Sequence, residues 1–156
     1  MVCNGWNLFY FRLFGQILNQ LEAEVTALAH KDPEGFHHHP KAKLLKAVID
    51  KIRIDVPNDP NHRDFWLGGT LGDSYKDWRR VKHRLPPRYR LFFKFTSNEK
   101  RIVYTWLNDE STLRQAGAKT DVYEVFKRML RHGDVPNSFE ELLKGSLAAT
   151  QPAQPA

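Results

Sequence analysis

The residues able to do chemistry in this 156-residue chain crowd into one short stretch. Between Lys76 and Lys94 stand eight cations (Lys76, Arg79, Arg80, Lys82, Arg84, Arg88, Arg90 and Lys94) against a single acid, Asp77. The chain as a whole carries a net charge of +6, so this stretch holds all of the excess and the remainder is close to neutral. Charge placed this narrowly is the footprint of a polyanion site more than a device for solubility. Lysine and arginine neutralise phosphates, and the planar arginine fork holds two phosphate oxygens at once. The plainer reading is a solvated strand face, and the single sign of the charge argues against it. Trp78 and Phe92 lie in the same stretch, with Tyr104 and Trp106 soon after. Bases of single-stranded RNA stack on such side chains. For any one of the four, however, packing in the core is the better expectation.

Other chemistries find little support. His37, His38 and His39 are consecutive, and three adjacent histidines cannot all reach one ion from regular structure. No Cys or Asp cluster with zinc-site spacing accompanies them, so a solvated loop is expected and no metal site. Asp109 and Glu110 have no partner carboxylates at a two-metal spacing, and acids are ordinary in the turn after a strand. A structural role for Asn108 and Asp109 in fixing the nearby Arg114 is the better expectation. Phosphate-loop, dinucleotide and nucleophile-elbow motifs do not occur, so no cofactor is expected. A single cysteine, Cys3, allows no internal disulfide and fits a reducing cytoplasm. No signal-like segment is evident, and Arg12 interrupts the one aromatic run, so no membrane role is expected.

The elements that must position these residues read as follows. Trp6 to Phe11 suits a short strand. Ile17, Leu18, Leu21, Val25 and Leu28 recur at helical spacing. A second apolar stripe, Leu44, Leu45, Val48, Ile49 and Ile52, begins after Pro40 and is closed by Pro57. A polar loop and the glycines 68, 69 and 72 follow. Three strand-like runs come next, residues 77–84, 89–95 and 101–107, separated by Pro86-Pro87 and by a TSNEK turn. They predict an antiparallel meander. Period-two alternation puts Tyr89, Leu91, Phe93 and Phe95 on one face and Arg88, Arg90, Phe92 and Lys94 on the other. In the preceding strand it groups Trp78, Arg80, Lys82 and Arg84. If the two cationic faces coincide, one side of the sheet carries Arg80, Lys82, Arg84, Arg88 and Arg90. Thr120 or Asp121 then caps a helix with apolar positions Val122, Val125, Phe126, Met129 and Leu130, stopped at Gly133 and Pro136. Ser138-x-x-Glu141 starts a last short helix. The class is α+β in one domain of residues 1–145, and the low-complexity tail 146–156 is expected to be disordered.

The strings KDWRRVKHR, RYRLFFKF, WLNDESTLR and KTDVYEVFKRML resemble the toxins of the YhaV family, a branch of the RelE-like superfamily, and the early NGW and KLL segments fit as well. The similarity covers roughly residues 4 to 144. It implies a RelE-like fold, in which an N-terminal helix pair packs on a small antiparallel sheet and a C-terminal helix closes the site. It also implies a type II toxin that cleaves mRNA, often in association with ribosomes, without a metal. A PrlF-type antitoxin with an AbrB-like swapped hairpin would neutralise it, and the pair would bind operator DNA and repress its own transcription. An open sheet edge would give an antitoxin segment a place to add a strand. Residue by residue, the resemblance puts the catalytic positions at Arg80, Lys82, Arg90, Arg114 and Tyr123. Lys76, Arg79, Arg84, Arg88, Lys94 and Lys119 would bind RNA around them. A RelE-type site has lysine where Arg80 stands here, which leaves the acid and base open: Lys82 is the first candidate to remove a proton, with Tyr123 and His83 in reserve. Two other readings stay open, a ParE-like gyrase-binding toxin without nuclease activity and a non-catalytic RNA-binding inhibitor of translation.

Overall fold

In the computed structural model, which describes residues 1–150, six strands form one mixed sheet with helices on both faces. The strands are β1 (Val2–Cys3), β2 (Trp6–Phe11), β3 (Arg79–Val81), β4 (Leu91–Thr96), β5 (Arg101–Leu107) and β6 (Ser146–Ala148). Their order is β1-β2-β5-β4-β3, with β6 also joined to β2. The expected meander is present, since β3 pairs with β4 and β4 with β5, both antiparallel. The sheet as a whole is not antiparallel, because β2 runs parallel to β5. Two antiparallel neighbours can be joined by a tight turn, but a parallel pair needs a long crossover. Everything between Phe11 and Arg101 supplies it. Strand propensity in WNLFYF therefore identified the strand but not its direction.

The helix α1 (Arg12–Lys31) starts directly at the end of β2, five residues before Ile17, and buries Phe14, Leu18, Leu21, Val25 and Ala29. The helix α2 (Pro40–Asp50) has its proline at the first turn, where the missing N–H has no helical partner anyway, and His39 Nδ1 accepts from Lys41 N at 3.1 Å. The helical path closes at Pro57 as expected, ending one residue later at Asn58, but it is not one regular helix. A wide π turn (Lys51–Asp55) leads into one last turn, α3 (Val56–Asn58). Pro57 has no N–H for the carbonyl four residues back and its ring crowds that carbonyl, so a widened turn before it lets the helix continue. The helix α4 (Val122–His132) begins at Asp121, whose carboxylate accepts from Tyr123 N, and ends at Gly133 with φ +78°. Ser138 caps α5 (Phe139–Lys144) in the expected manner.

Two cores result. Leu18, Val48, Ile52, Phe93 and Tyr104 pack between the sheet and α1 and α2. Trp78, Phe92, Trp106, Phe126 and Leu142 pack on the opposite face under α4 and α5. Trp78, Phe92, Tyr104 and Trp106 are all buried, so they are core residues and not stacking surfaces. The register shifts between Phe92 and Phe93, which pair with Trp106 and Tyr104. That irregularity returns Trp106 to the face of Phe92.

Three expectations change here. The face predicted to be an open cationic surface is covered: Arg80 and Lys94 are both buried beneath the C-terminal helices. Residues 77–84 yield a strand of only three residues, and Lys82, His83 and Arg84 leave the sheet, Arg84 with φ +61°. The presumed tail also begins too early, because Ser146–Ala148 forms β6 against Phe9, Tyr10 and Phe11 and Ala149 N donates to Leu8 O at 2.8 Å. The part of that expectation concerning residues 151–156 lies outside the described residues.

Candidate active site

Three arginines converge on one tyrosine. Arg80 on β3 lies opposite Phe92 on β4, so Arg90, two residues before Phe92, approaches the same face. Both reach Tyr123 at the start of α4: Arg80 Nε and Arg90 Nε each donate to the Tyr123 hydroxyl oxygen at 3.0 Å. The Arg114 guanidinium carbon lies 5.0 Å from the centre of the Tyr123 ring and that of Arg90 lies 6.0 Å away. Phe92 meets the same ring edge-on with centroids 5.9 Å apart, forming an apolar floor. Of the five residues expected here the structure brings together all but Lys82, from four separate segments.

The anchoring of each arginine leaves part of it free. Arg80, 8% exposed, donates from Nη1 to Trp66 O at 2.7 Å and to Asp64 O at 3.3 Å. Arg90 donates from Nη1 to its neighbour's carbonyl, Tyr89 O, at 2.8 Å. Among the described residues no carboxylate pairs with either, and neither Nη2 has a partner. Arg114 differs, since its Nη1 lies 2.7 Å from Asp121 Oδ1. Two buried or half-buried guanidiniums without a countercharge around one hydroxyl form a strong anion site, because an uncompensated charge away from water gains most from an incoming one.

The backbone around the site is held by two side chains. Asn108, buried, accepts from Arg90 N at 2.7 Å and donates to Arg88 O at 3.1 Å and Thr112 O at 2.9 Å. Arg88 and Arg114 exchange bonds at 2.9 Å, Arg114 N to Arg88 O and Arg88 Nε to Arg114 O. Asp121 performs two tasks with one carboxylate. Its Oδ2 accepts from Tyr123 N at 3.1 Å to cap α4, while Oδ1 accepts from Arg114 Nη1 and from Gln115 N at 2.6 Å. Burial alone would raise the pKa of Asp121, but the bonds from Arg114, Gln115 and Tyr123 outweigh it and hold it below the ordinary carboxylate value. Sequence patterning exposed Asp121 as a helix cap. Its grip on Arg114 had no signal, because a cap needs only one carboxylate oxygen. Asn108 reaches Arg114 only indirectly, since both donate to Arg88 O, whereas Asp109 commits its carboxylate to its own turn, accepting from Ser111 and Thr112.

The other expected residues scatter. Lys82 is exposed beyond the end of β3 and lines a groove of about 750 Å³ with His83, Arg84 and His62, with no recorded hydrogen bond to Tyr123. Arg79 turns to the opposite face of the strand, where Nη1 donates to Lys76 O at 2.9 Å and Nη2 to Asn61 Oδ1 at 3.1 Å. Lys94 is withdrawn from the surface, 8% exposed. Its ammonium is buried, donates to Asn137 O and sits 4.9 Å from the Trp78 ring, and burial pushes its pKa down. Lys76, Arg84, Arg88 and Lys119 are exposed. Among the described residues no helix is long and apolar enough to cross a membrane.

Comparison with known proteins identifies the family. A family model described as a toxin with endonuclease activity, of a toxin–antitoxin system, matches residues 8–147. The protein named Ribonuclease toxin YhaV from Escherichia coli (strain K12) is 42% identical over 142 residues, covering 90% of this chain and 92% of the relative. Toxin YhaV from Escherichia coli O6:H1 is 43% identical over 140 residues, covering 89% and 90%. No solved structure matches significantly. A match of this length and identity, over a chain that brings its cations together around Tyr123, places the protein in the YhaV family of toxins, enzymes with endonuclease activity that work within toxin–antitoxin systems.

Proposed function

We propose that this toxin is a metal-independent endoribonuclease that cleaves mRNA by attack of a ribose 2′-hydroxyl on the adjacent phosphate. The bond from phosphorus to the 5′-oxygen breaks, leaving a 2′,3′-cyclic phosphate and a 5′-hydroxyl. The observation that carries this reading is the Tyr123 hydroxyl clasped by Arg80 and Arg90, neither of which has a countercharge. Negative charge grows on the phosphoryl oxygens in the transition state, and fixed cations beside them need no reorganisation at that moment. Arg80, Arg90 and Arg114 hold the phosphate. The phenol oxygen of Tyr123 already accepts two bonds, so its free capacity is its own proton. Tyr123 is the general acid that protonates the departing 5′-oxygen. Removal of the 2′-proton falls to Lys82, an exposed group two residues along the chain from Arg80.

The arrangement of sheet and closing helix fits a RelE-like domain, with RNA read on the ribosome or free. The partner antitoxin implied by the family is of the PrlF type, binds operator DNA together with the toxin and represses their shared transcription in the cytoplasm. Purified chain incubated in EDTA with a defined single-stranded RNA, alone and with ribosomes, tests the reaction through the end groups of the fragments. Cyclic phosphate ends are expected, and Arg90→Ala should abolish cleavage while RNA binding, weakened by one phosphate contact, persists. Intact RNA in every case would leave the gyrase-binding or occupancy reading in its place.

A further inference from the structure

With Trp78, Phe92, Tyr104 and Trp106 buried, the aromatic platform expected beside a single-stranded RNA site must be sought elsewhere. Among the described residues the large apolar side chains left exposed are Val2, Ile54, Trp66 and Leu147. Trp66 alone of these has a flat aromatic face, and it is 52% exposed. A solitary exposed apolar residue is normal on any surface. Trp66 differs in being immobilised and in being wired to the catalytic cluster. Its indole N–H donates to Asn61 O at 2.9 Å and lies 3.3 Å from Asn61 Oδ1, so the ring is fixed in place. Its carbonyl accepts from Arg80 Nη1 at 2.7 Å, and the Nε of that same guanidinium holds Tyr123.

We infer that Trp66 is a base-stacking platform for a nucleotide flanking the scissile phosphate of single-stranded RNA, an inference that rests on the proposed ribonuclease reaction. Trp66 bridges to Arg79 outside β3, and both side chains bond Asn61 Oδ1, so the indole stands with Arg79 on the side of the sheet edge away from Tyr123. A strand whose phosphate lies against Arg80 and Arg90 crosses the edge of β3 to lay its next base on the ring. Every base has a π-face, so this contact adds affinity and register without reading a particular base. A fixed ring also loses little freedom on stacking, which is why an indole pinned by its own N–H serves better than a mobile one. The cationic Arg79 beside it suits the phosphate that follows.

The test uses a fully 2′-O-methylated oligoribonucleotide, which presents bases and phosphates but lacks the attacking hydroxyl. Binding should quench tryptophan fluorescence in the native protein. Trp66→Leu, which keeps apolar bulk but has no flat face, should abolish most of the quench and weaken binding about 5- to 150-fold, the range expected for losing one stacked base. Trp66→Phe should retain most of the affinity. At saturating cleavable RNA, kcat of all three proteins should agree within a few-fold, because the carbonyl that holds Arg80 survives each change. Native affinity in Trp66→Leu overturns the inference, as does equal loss in the Phe and Leu variants together with a lowered melting temperature, which would make Trp66 a structural residue. Native RNA affinity combined with weakened neutralisation by the antitoxin would make it a protein contact instead. If the native chain itself neither binds nor cleaves RNA, the proposed reaction fails and this inference falls with it, whereas normal cleavage with indifferent Trp66 variants removes the platform alone.

Discussion

Replacing Tyr123 by phenylalanine separates what its hydroxyl does for the fold from what it does for the reaction. The oxygen accepts Nε–H bonds from Arg80 and Arg90 at 3.0 Å, and its removal leaves both donors without that acceptor. Arg90 is half-buried and can turn to water, but Arg80 is 8% exposed and cannot readily do so. An unsatisfied buried donor costs about 1–3 kcal/mol and a charged one more, so a destabilisation of about 2–4 kcal/mol is expected, most of it at Arg80. For a chain of this size that corresponds to a melting temperature lowered by about 5–15 °C. The effect on cleavage should be larger and of another kind. Loss of a general acid lowers kcat by about 100- to 10,000-fold. KM should stay level or fall, because guanidiniums released from the phenol are freer to take phosphate oxygens. The melting curve is measured first, and cleavage is then followed at saturating RNA well below the variant's transition. A folded variant with kcat within threefold of the native value would refute the assignment of Tyr123 as the acid. A lowered melting temperature with unchanged kcat would show the hydroxyl to be a purely structural anchor for the two arginines.

Asp121→Asn keeps an oxygen to cap α4 but loses the charge that holds Arg114, and should cost about 1–3 kcal/mol at neutral pH. The Asp121 carboxyl is held below its ordinary value of 3.8, so its stabilisation is present above about pH 3.8 and is lost as pH falls through the folded-state value. Acid unfolding followed by circular dichroism should therefore show the native protein and the Asp121→Asn variant converging below that pH, and parallel curves would contradict the pairing. Asn108→Ala leaves Arg90 N and the carbonyls of Arg88 and Thr112 without their partner, with an expected loss of about 2–4 kcal/mol in denaturant titration and a fall in kcat as Arg90 and Arg114 loosen. Lys94→Met should leave the salt dependence of RNA binding unchanged, because its ammonium is held against Asn137, while Lys119→Gln, at an exposed cation, should reduce the slope by about 1. A reduced slope for Lys94→Met would mean that α4 and α5 move aside to admit RNA.

Local signals in the chain were strong where one residue type has one physical use. Asp121, Gly133 and Ser138 announce helix ends because only a side-chain oxygen or a left-handed glycine meets the need there, and the structure places α4 and α5 accordingly. The alternation in residues 88–95 also located the two faces of β4, with Leu91 and Phe93 in one core and Phe92 in the other. What remained hidden depends on partners distant in sequence. The parallel pairing of β2 with β5 is set by the path of the intervening chain, and the early start of α1 follows from Phe14 finding a core that includes Tyr104. The strand propensity of KDWRRVKHR overstated β3, since Lys82, His83 and Arg84 have no cross-strand apolar neighbour to hold them in the sheet.

Arg80 and Lys94 show why the cationic pattern misjudged exposure. Both alternate onto the same face of the meander, and charge at such positions ordinarily signals solvent. Each instead meets an acceptor 43 residues further along, Tyr123 for Arg80 and Asn137 for Lys94. Local composition cannot announce an acceptor so remote. The two cations then part company on the chemistry of what they meet. The Lys94 ammonium donates to Asn137 O, has Asn137 Oδ1 3.4 Å away and lies beside the Trp78 ring, and burial pushes its pKa down. Arg80 has three nitrogens in a rigid fork, and binding two of them to Tyr123 and to backbone carbonyls leaves the third with its donors. Both are cations at buried strand positions, yet the ammonium is enclosed while the guanidinium keeps one nitrogen free, the one that the proposed reaction assigns to phosphate. An arginine at that position thus ties the fold together through two nitrogens and keeps the third unpartnered among the described residues.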